Sequence, residues 1–127
     1  MLADAAQIGD GKLHLLGVGW DATTGETPFA VAALVSVPWD MTNQKIELKL
    51  ELIDEDGRSV PFPGTEEPLV LAGEIEVGRP AGVAAGSALQ GPFAWGFGPL
   101  GLVPGRYTWT LTVGETTARR SFTVIPS

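Results

Sequence analysis

The sequence contains no cysteine, and histidine and tyrosine each occur once. Without cysteine, disulfide bonds, thiolate nucleophiles and zinc sites built on sulfur are excluded. His14, in the apolar stretch KLHLLG, is expected to be a satisfied core residue rather than a catalytic base. A serine-based triad would also need a nucleophile elbow such as G-x-S-x-G, and the sequence offers none. The chain is therefore not expected to be an enzyme, with a hydrolase as the remote exception.

Basic residues are few: eight lysines and arginines stand against fifteen acids, which gives a net charge of −7. Such a chain repels phosphate backbones, so we expect no nucleic-acid partner. No apolar run approaches the roughly 20 residues of a membrane span. Asp4 stands where a signal peptide would have its basic flank and apolar run. We therefore expect no membrane association and a cytoplasmic location.

The chain does contain enough apolar material to fold. Hydrophobic residues make up 44% of 127 residues and charged residues 18%, which is typical of one ordered domain rather than a disordered chain. We expect a single domain over residues 1–127.

The dominant sequence period is two, the period of a β-strand. The segment KIELKLELID places charged residues on one parity and aliphatic residues on the other, the latter being Ile46, Leu48, Leu50 and Leu52. GRYTWTLTV and ARRSFTVI alternate in the same way around the turn GETT, which predicts a hairpin. Arg120 falls on the apolar parity, so we expect it near a strand end or a sheet edge.

Short strands with frequent turn signals between them predict an all-β fold, an immunoglobulin-like two-layer β-sandwich of seven to nine mostly antiparallel strands. Leu102, Gly105 and Tyr107 have the spacing of a tyrosine corner, in which the hydroxyl bonds upstream backbone. An ordinary core tyrosine explains the same spacing equally well. In the Gly- and Pro-rich region 78–105, the stretch VGRPAGVAAGSALQGP has no clear period, and a long loop or a loop with a weak strand both fit it.

Two segments are apolar on both parities. KLHLLGVGW and TPFAVAALVSVPW are expected to be central strands covered on both sides, or strands that meet another chain. In the second segment, the additional row consists of Ala30, Ala32 and Leu34. We expect this row to be covered either by a flap from residues 78–105 or by a second molecule. Because symmetric pairs are the commonest oligomers, a homodimer is slightly preferred, and these three residues are the candidate interaction residues.

The acidic stretch IDEDGRSV allows three interpretations. A tight turn explains every residue, because Asp bonds its own loop and Gly takes positive φ. A calcium site would use Asp54 and Asp56, but the spacing places Leu52 and Pro63 where an EF-hand has ligands. A catalytic carboxylate pair would need a cleft that adjacent acids on a turn do not form. The turn is the prediction, and no metal or cofactor is expected.

One resemblance covers nearly the whole chain. The stretches LADAAQ, GKLHLLGVGW, PFAVAALVSVPWD and LELIDEDG together resemble a family of small bacterial proteins of unknown function. The resemblance implies an immunoglobulin-like β-sandwich and carries no catalytic residues. The positions that carry it are expected to serve turns and core: Ala3, Asp4, Gly17, Trp20, Pro38, Trp39, Asp56 and Gly57.

Two functions remain open. The first is a non-enzymatic module that acts through self-association or through binding of a protein partner, and it is favoured by the doubly apolar segment. The alternative is a small-ligand or carbohydrate-binding module that uses exposed tryptophan, for which Trp20, Trp39, Trp95 and Trp109 are available. Four tryptophans in a small sandwich more often serve the core.

Overall fold

The computed structural model describes residues 1–126, and they form an all-β fold with one short 3₁₀ helix. The strands in chain order are β1 Leu2–Ala3, β2 Ala5–Gly9, β3 Lys12–Leu16, β4 Ala22–Thr24, β5 Phe29–Val37, β6 Lys45–Asp54, β7 Val70–Glu76, β8 Leu89–Phe97, β9 Gly105–Val113 and β10 Thr116–Ile125. The helix is Trp39–Met41. None of the helices in residues 1–126 is long and apolar enough to cross a membrane.

A five-stranded sheet has the order β4-β10-β9-β6-β7. The alternation predicted for β6 and β9 is confirmed, because their apolar parities are buried: Ile46, Leu48, Leu50 and Leu52 in β6, and Tyr107, Trp109 and Leu111 in β9. The hairpin predicted at GETT is also confirmed, since β9 and β10 pair antiparallel from Val113 and Thr116. In contrast, β4 runs parallel to β10 and pairs only with Thr123–Ile125.

A three-stranded sheet has the order β1-β5-β8. β5 pairs with β8 along its whole length, from Phe29 to Val37. β1 pairs with β5 only at Val31 and Ala30. The backbone of Met1 adds two hydrogen bonds to Ala32, one in each direction, of 2.7 and 2.9 Å.

The third sheet is the β2–β3 hairpin. The chain leaves β1 at Asp4, whose N–H donates to the carbonyl groups of Leu16 and Gly17. Gly17 has a positive φ of 64° and lies so close to Asp4 that a Cβ atom would collide with the carboxylate. The hairpin then crosses the outer side of the three-stranded sheet, where β2 contacts β5 and β8 and β3 contacts β8.

The prediction that KLHLLGVGW is a central strand is therefore wrong. Among residues 1–126, β3 has only one strand partner, β2, and Leu16 at its end is 70% exposed. The apolar residues Leu13 and Leu15 of β3 lie on the side of the strand that packs on the three-stranded sheet. The predicted strand count also needs correction. Across residues 1–126, the two larger sheets contain eight strands, within the predicted seven to nine, but the hairpin adds two more.

Both larger sheets contribute to one hydrophobic core. Its centre is aromatic: Phe97 stacks on Trp109 with 5.0 Å between ring centroids, and Phe29 packs against Trp109 and Phe122. A smaller cluster of Val37, Ile46 and Val77 lies apart from it.

The tyrosine corner is confirmed. The hydroxyl of Tyr107 donates a 2.7 Å hydrogen bond to the backbone carbonyl of Val103, four residues upstream, and the side chain is also buried. This bond holds the loop that enters β9 against the strand itself.

Candidate functional site

The acidic stretch is a hydrogen-bonded turn, as predicted. The Oδ1 atom of Asp54 accepts the backbone N–H groups of Asp56 at 2.9 Å and Arg58 at 3.0 Å. Gly57 takes a positive φ of 78° and donates its N–H to the Asp54 carbonyl. The side chain of Asp54 thus replaces a backbone acceptor inside the turn. Within residues 1–126, no three His, Cys, Asp or Glu residues come together as a group that could hold a metal ion.

His14 was predicted to be a core residue, and this is wrong. Its side chain is exposed on the β2–β3 hairpin, and the ring atom Nε2 lies 3.3 Å from the carbonyl oxygen of Gly9. The parity that packs on the sheet belongs to its partly buried neighbours Leu13 and Leu15.

The additional row of β5 is covered from within the chain. Ala30 is 1% exposed and Ala32 is 0% exposed, because the hairpin crosses this part of the sheet. Neither a second molecule nor a flap is needed as cover for these two alanines, and the middle of the proposed flap is β8, which pairs with β5 edge to edge. Of the three candidate interaction residues, only Leu34 is accessible, at 51% exposure.

The four tryptophans have different environments. Trp109 is buried, and Trp20 packs edge-on against Phe29 and Phe122. Within the described residues, the indole N–H groups of these two tryptophans have no hydrogen-bond partner. Trp39 carries the guanidinium of Arg79 at 4.1 Å from its ring centroid. Trp95, on β8, is 37% exposed and is the one tryptophan in residues 1–126 that has the accessibility of a ligand platform.

A different feature is a candidate interaction surface, namely one open side of the two larger sheets. β1 ends its pairing with β5 at Val31, with Met1 bonded to Ala32, so within residues 1–126 β5 has no strand partner on this side from Ala33 to Val37. β4 reaches only to Thr123 of β10, so in the described part of the chain β10 has no strand partner on this side from Thr116 to Ser121. Arg120 therefore lies in an edge segment, as predicted, and is exposed.

The direction of the unpaired backbone groups follows from the ladder. Ala32 exchanges both of its hydrogen bonds with Met1, away from β8. Because hydrogen-bonding direction alternates along a strand, Leu34 and Ser36 also direct their N–H and C=O groups to the open side. Thr123 donates to Asp21, on the β4 side of β10. By the same alternation, Thr117, Arg119 and Ser121 direct their backbone N–H and C=O groups to the open side of β10.

These two edges border one apolar groove of about 700 Å³. Most of its lining side chains are aliphatic or otherwise apolar, and they come from β5, the 3₁₀ helix, β6, β9 and β10: Ala33, Leu34, Val35, Val37, Pro38, Met41, Ile46, Leu111, Val113 and Ala118. Leu34 and Met41 are among the exposed large hydrophobic residues of the chain. We call this feature the edge groove.

The opposite edge of the three-stranded sheet is protected. Pro92 of β8 lies in register with Leu34 and has no N–H group to offer an incoming strand. On the inner face of β8, Gly91 lies so close to Ile75 of β7 and to Val77 that a Cβ atom would displace their side chains. Proline is a common way to block an edge strand. β5 has no proline from Ala33 to Val37.

Sequence reasoning did not find the edge groove. The two long strands were predicted, but their unequal neighbours decide where the edges lie. One available signal was Asp4, which interrupts the first apolar segment and ends β1 after two residues. The second signal was the brevity of the segment ATT, which forms β4.

Comparison with known proteins gives one informative result. No curated protein matches this chain. A family described as a family of unknown function (DUF6941) matches residues 1–125. By this match over nearly its whole length, the chain belongs to that family.

Proposed function

We propose that this chain is a non-enzymatic module that binds an extended segment of a partner protein in the edge groove by strand addition. The observation that carries the proposal is the pair of unpaired strand edges on either side of an apolar groove. Strand addition obtains affinity from main-chain hydrogen bonds and specificity from pockets for alternate side chains. β5 supplies the main-chain hydrogen bonds through Leu34 and Ser36, and the groove accommodates the alternate side chains of the bound segment.

The proposal includes an immunoglobulin-like sandwich as the framework. The order β1-β5-β8 corresponds to strands A, B and E of that fold, and β10-β9-β6-β7 corresponds to G, F, C and C′. The tyrosine corner at the start of β9 supports the assignment, because that motif belongs to strand F. On this assignment the β2–β3 hairpin is an insertion after strand A.

The test is a pair of proline variants at one level of the same sheet. Ser36→Pro removes an N–H group from the open edge of β5. Its register partner Gln90 lies on the protected edge of β8, so Gln90→Pro is the matched control. Both residues are exposed, and both variants are expected to fold, which thermal melting checks.

Random peptides displayed on phage are selected on the unmodified protein. We expect enrichment of sequences with alternating apolar residues. The affinity of the enriched peptides should fall about tenfold or more in Ser36→Pro, which loses a backbone hydrogen bond and gains a ring at the contact. Gln90→Pro should bind them as the unmodified protein does. Equal binding to all three proteins would contradict strand addition at β5.

A carbohydrate-binding module is the second candidate, and the exposure of Trp95 favours it. Aromatic rings with one accessible surface pack against sugar rings. In this case a glycan array would detect binding that Trp95→Ala removes and Ser36→Pro leaves unchanged.

A further inference from the structure

We infer that the segment bound in the edge groove runs antiparallel to β5 and carries a carboxylate group at its C-terminal end, where Arg120 of β10 receives it. This inference rests on the proposed function and specifies the chemistry of the partner.

The existing neighbours give the direction. β1 runs antiparallel to β5, and β4 runs parallel to β10. A segment that continues both ladders is therefore antiparallel to β5 and parallel to β10. Its N-terminal end lies beside Val37 and Thr116, and its C-terminal end lies beside Ala33 and Ser121.

The C-terminal end of this path has one basic side chain beside it, that of Arg120. Arg106, Arg119 and Arg120 line a concave surface of about 380 Å³ on β9 and β10, but Arg106 and Arg119 have the opposite parity to the groove residues and lie on the other face of the sheet. Arg120 has the same parity as the groove residue Ala118, two positions earlier in β10. Burial and then the charge of Arg120 lower the pKa of the Met1 amino group, which is consistent with Arg120 lying near the start of β1.

The guanidinium group of Arg120 is available to an anion, whereas Arg106 donates one hydrogen bond of 3.3 Å to the hydroxyl of Thr123. In residues 1–126, the one salt bridge joins Lys45 to Glu74, so these three arginines form no salt bridge there. Asp21 also lines the concave surface and offsets part of its charge. The net formal charge of these four side chains remains positive.

The other end of the groove has the opposite sign. Glu115 lines it beside Thr116, where the N-terminal end of the segment would lie. A carboxylate is thus favoured at one end of the segment and repelled at the other, which discriminates between orientations as well as sequences. A segment without an acid would leave Arg120 unpaired at the contact. Charged residues on the inward parity of an edge strand exclude unsuitable strands in this manner.

Three synthetic peptides test the inference by fluorescence anisotropy. Each has six residues of alternating valine and threonine, to which two further residues are added at one end. The first peptide has Asp-Glu added at its C-terminus, and the second has Asn-Gln added there with an amidated C-terminus. The third has Asp-Glu added at its N-terminus and is also amidated at its C-terminus. We expect the first to bind about tenfold more tightly than either of the others, the gain of one charge-assisted contact.

Two variants test whether Arg120 causes the preference for the first peptide. Arg120→Gln should reduce the advantage of the first peptide, and higher salt should do the same. Arg58→Gln, an exposed arginine in the acidic turn, is the matched control and should preserve it. Equal affinities for the three peptides, with Ser36→Pro still weakening all of them, would overturn this inference and leave strand binding intact. If none of the peptides binds, the proposed function fails with it.

Discussion

At the scale of single residues, Tyr107 shows how one side chain fixes a loop. Its hydroxyl reaches the carbonyl of Val103 at 2.7 Å, while its ring stacks on Phe122 with 5.9 Å between centroids. Burial raises the pKa of Tyr107 above its ordinary value of 10.0, and the carboxylates of Asp54 and Glu55 raise it further. The folded state therefore favours the neutral phenol, which is also the form that donates the hydrogen bond.

Tyr107→Phe is expected to cost about 0.5–1.5 kcal/mol of unfolding free energy at neutral pH, the usual net value of a hydrogen bond. The stabilisation from Tyr107 is complete below the unfolded pKa and is lost as the pH rises through the higher folded pKa. Urea melts from pH 8 to 11.5 should show a steeper loss of stability in the unmodified protein than in Tyr107→Phe. Parallel pH profiles would contradict this assignment.

Local turn chemistry was the part of the chain most readable from sequence. Asp56 and Gly57 were predicted to serve a turn, and the turn forms through Asp54 and a left-handed glycine. Asp4 and Gly17 carried part of the family resemblance, and the structure gives the physical reason, which is their close contact at the base of the β2–β3 hairpin. His14 was misjudged because an apolar sequence neighbourhood does not specify which parity of a strand is covered.

At the scale of strands, the β2–β3 hairpin provides the cover that sequence assigned to a flap from residues 78–105 or to a second molecule. The sequence indicated that both parities of β5 are apolar. It could not predict what covers Ala30 and Ala32, because that depends on where the chain turns after β1. The shortness of β1 and β4, which leaves the edges of their neighbours incomplete, had only two indirect signals in the sequence, Asp4 and the brevity of the segment ATT.

The hairpin cover predicts a difference between two alanines. Ala32→Leu should destabilise the protein by about 1–3 kcal/mol, because the added atoms meet the hairpin where the site is fully buried. Ala118→Leu makes the same change at an exposed position of the edge groove and should alter stability by less than about 0.5 kcal/mol. Chemical denaturation measures both. Equal costs at the two positions would mean that the hairpin does not pack on Ala32.

At the scale of the whole molecule, the structure weakens the argument for a homodimer. The row that suggested self-association is mostly covered by the chain itself, and the remaining apolar surface is a groove suited to one strand. The charge of −7 also opposes the association of two copies. The all-β class was predictable from the sequence period alone, whereas the groove depends on sheet edges that only the assembled strands define.

Light scattering at micromolar concentration is therefore expected to give the monomer mass of 13.3 kDa. Leu34→Glu should leave that mass and the melting temperature unchanged. Leu16→Glu is the matched control, the same substitution at an exposed leucine outside the groove. A dimer that Leu34→Glu dissociates and Leu16→Glu does not would instead assign the groove to a second copy of the chain.

The parallel pairing of β4 with β10 also constrains biosynthesis. Ala22 is in register with Thr123, so the five-stranded sheet joins segments from near the two ends of the described chain. A ribosome adds roughly 5–20 residues per second, and several seconds pass between the synthesis of the two strands. During that interval β4 lacks its strand partner and the core lacks Phe122, which is fully buried in the finished fold. The nascent chain thus exposes an unpaired strand and aromatic surface until β10 is made, which makes chaperone contact an expected consequence of this topology.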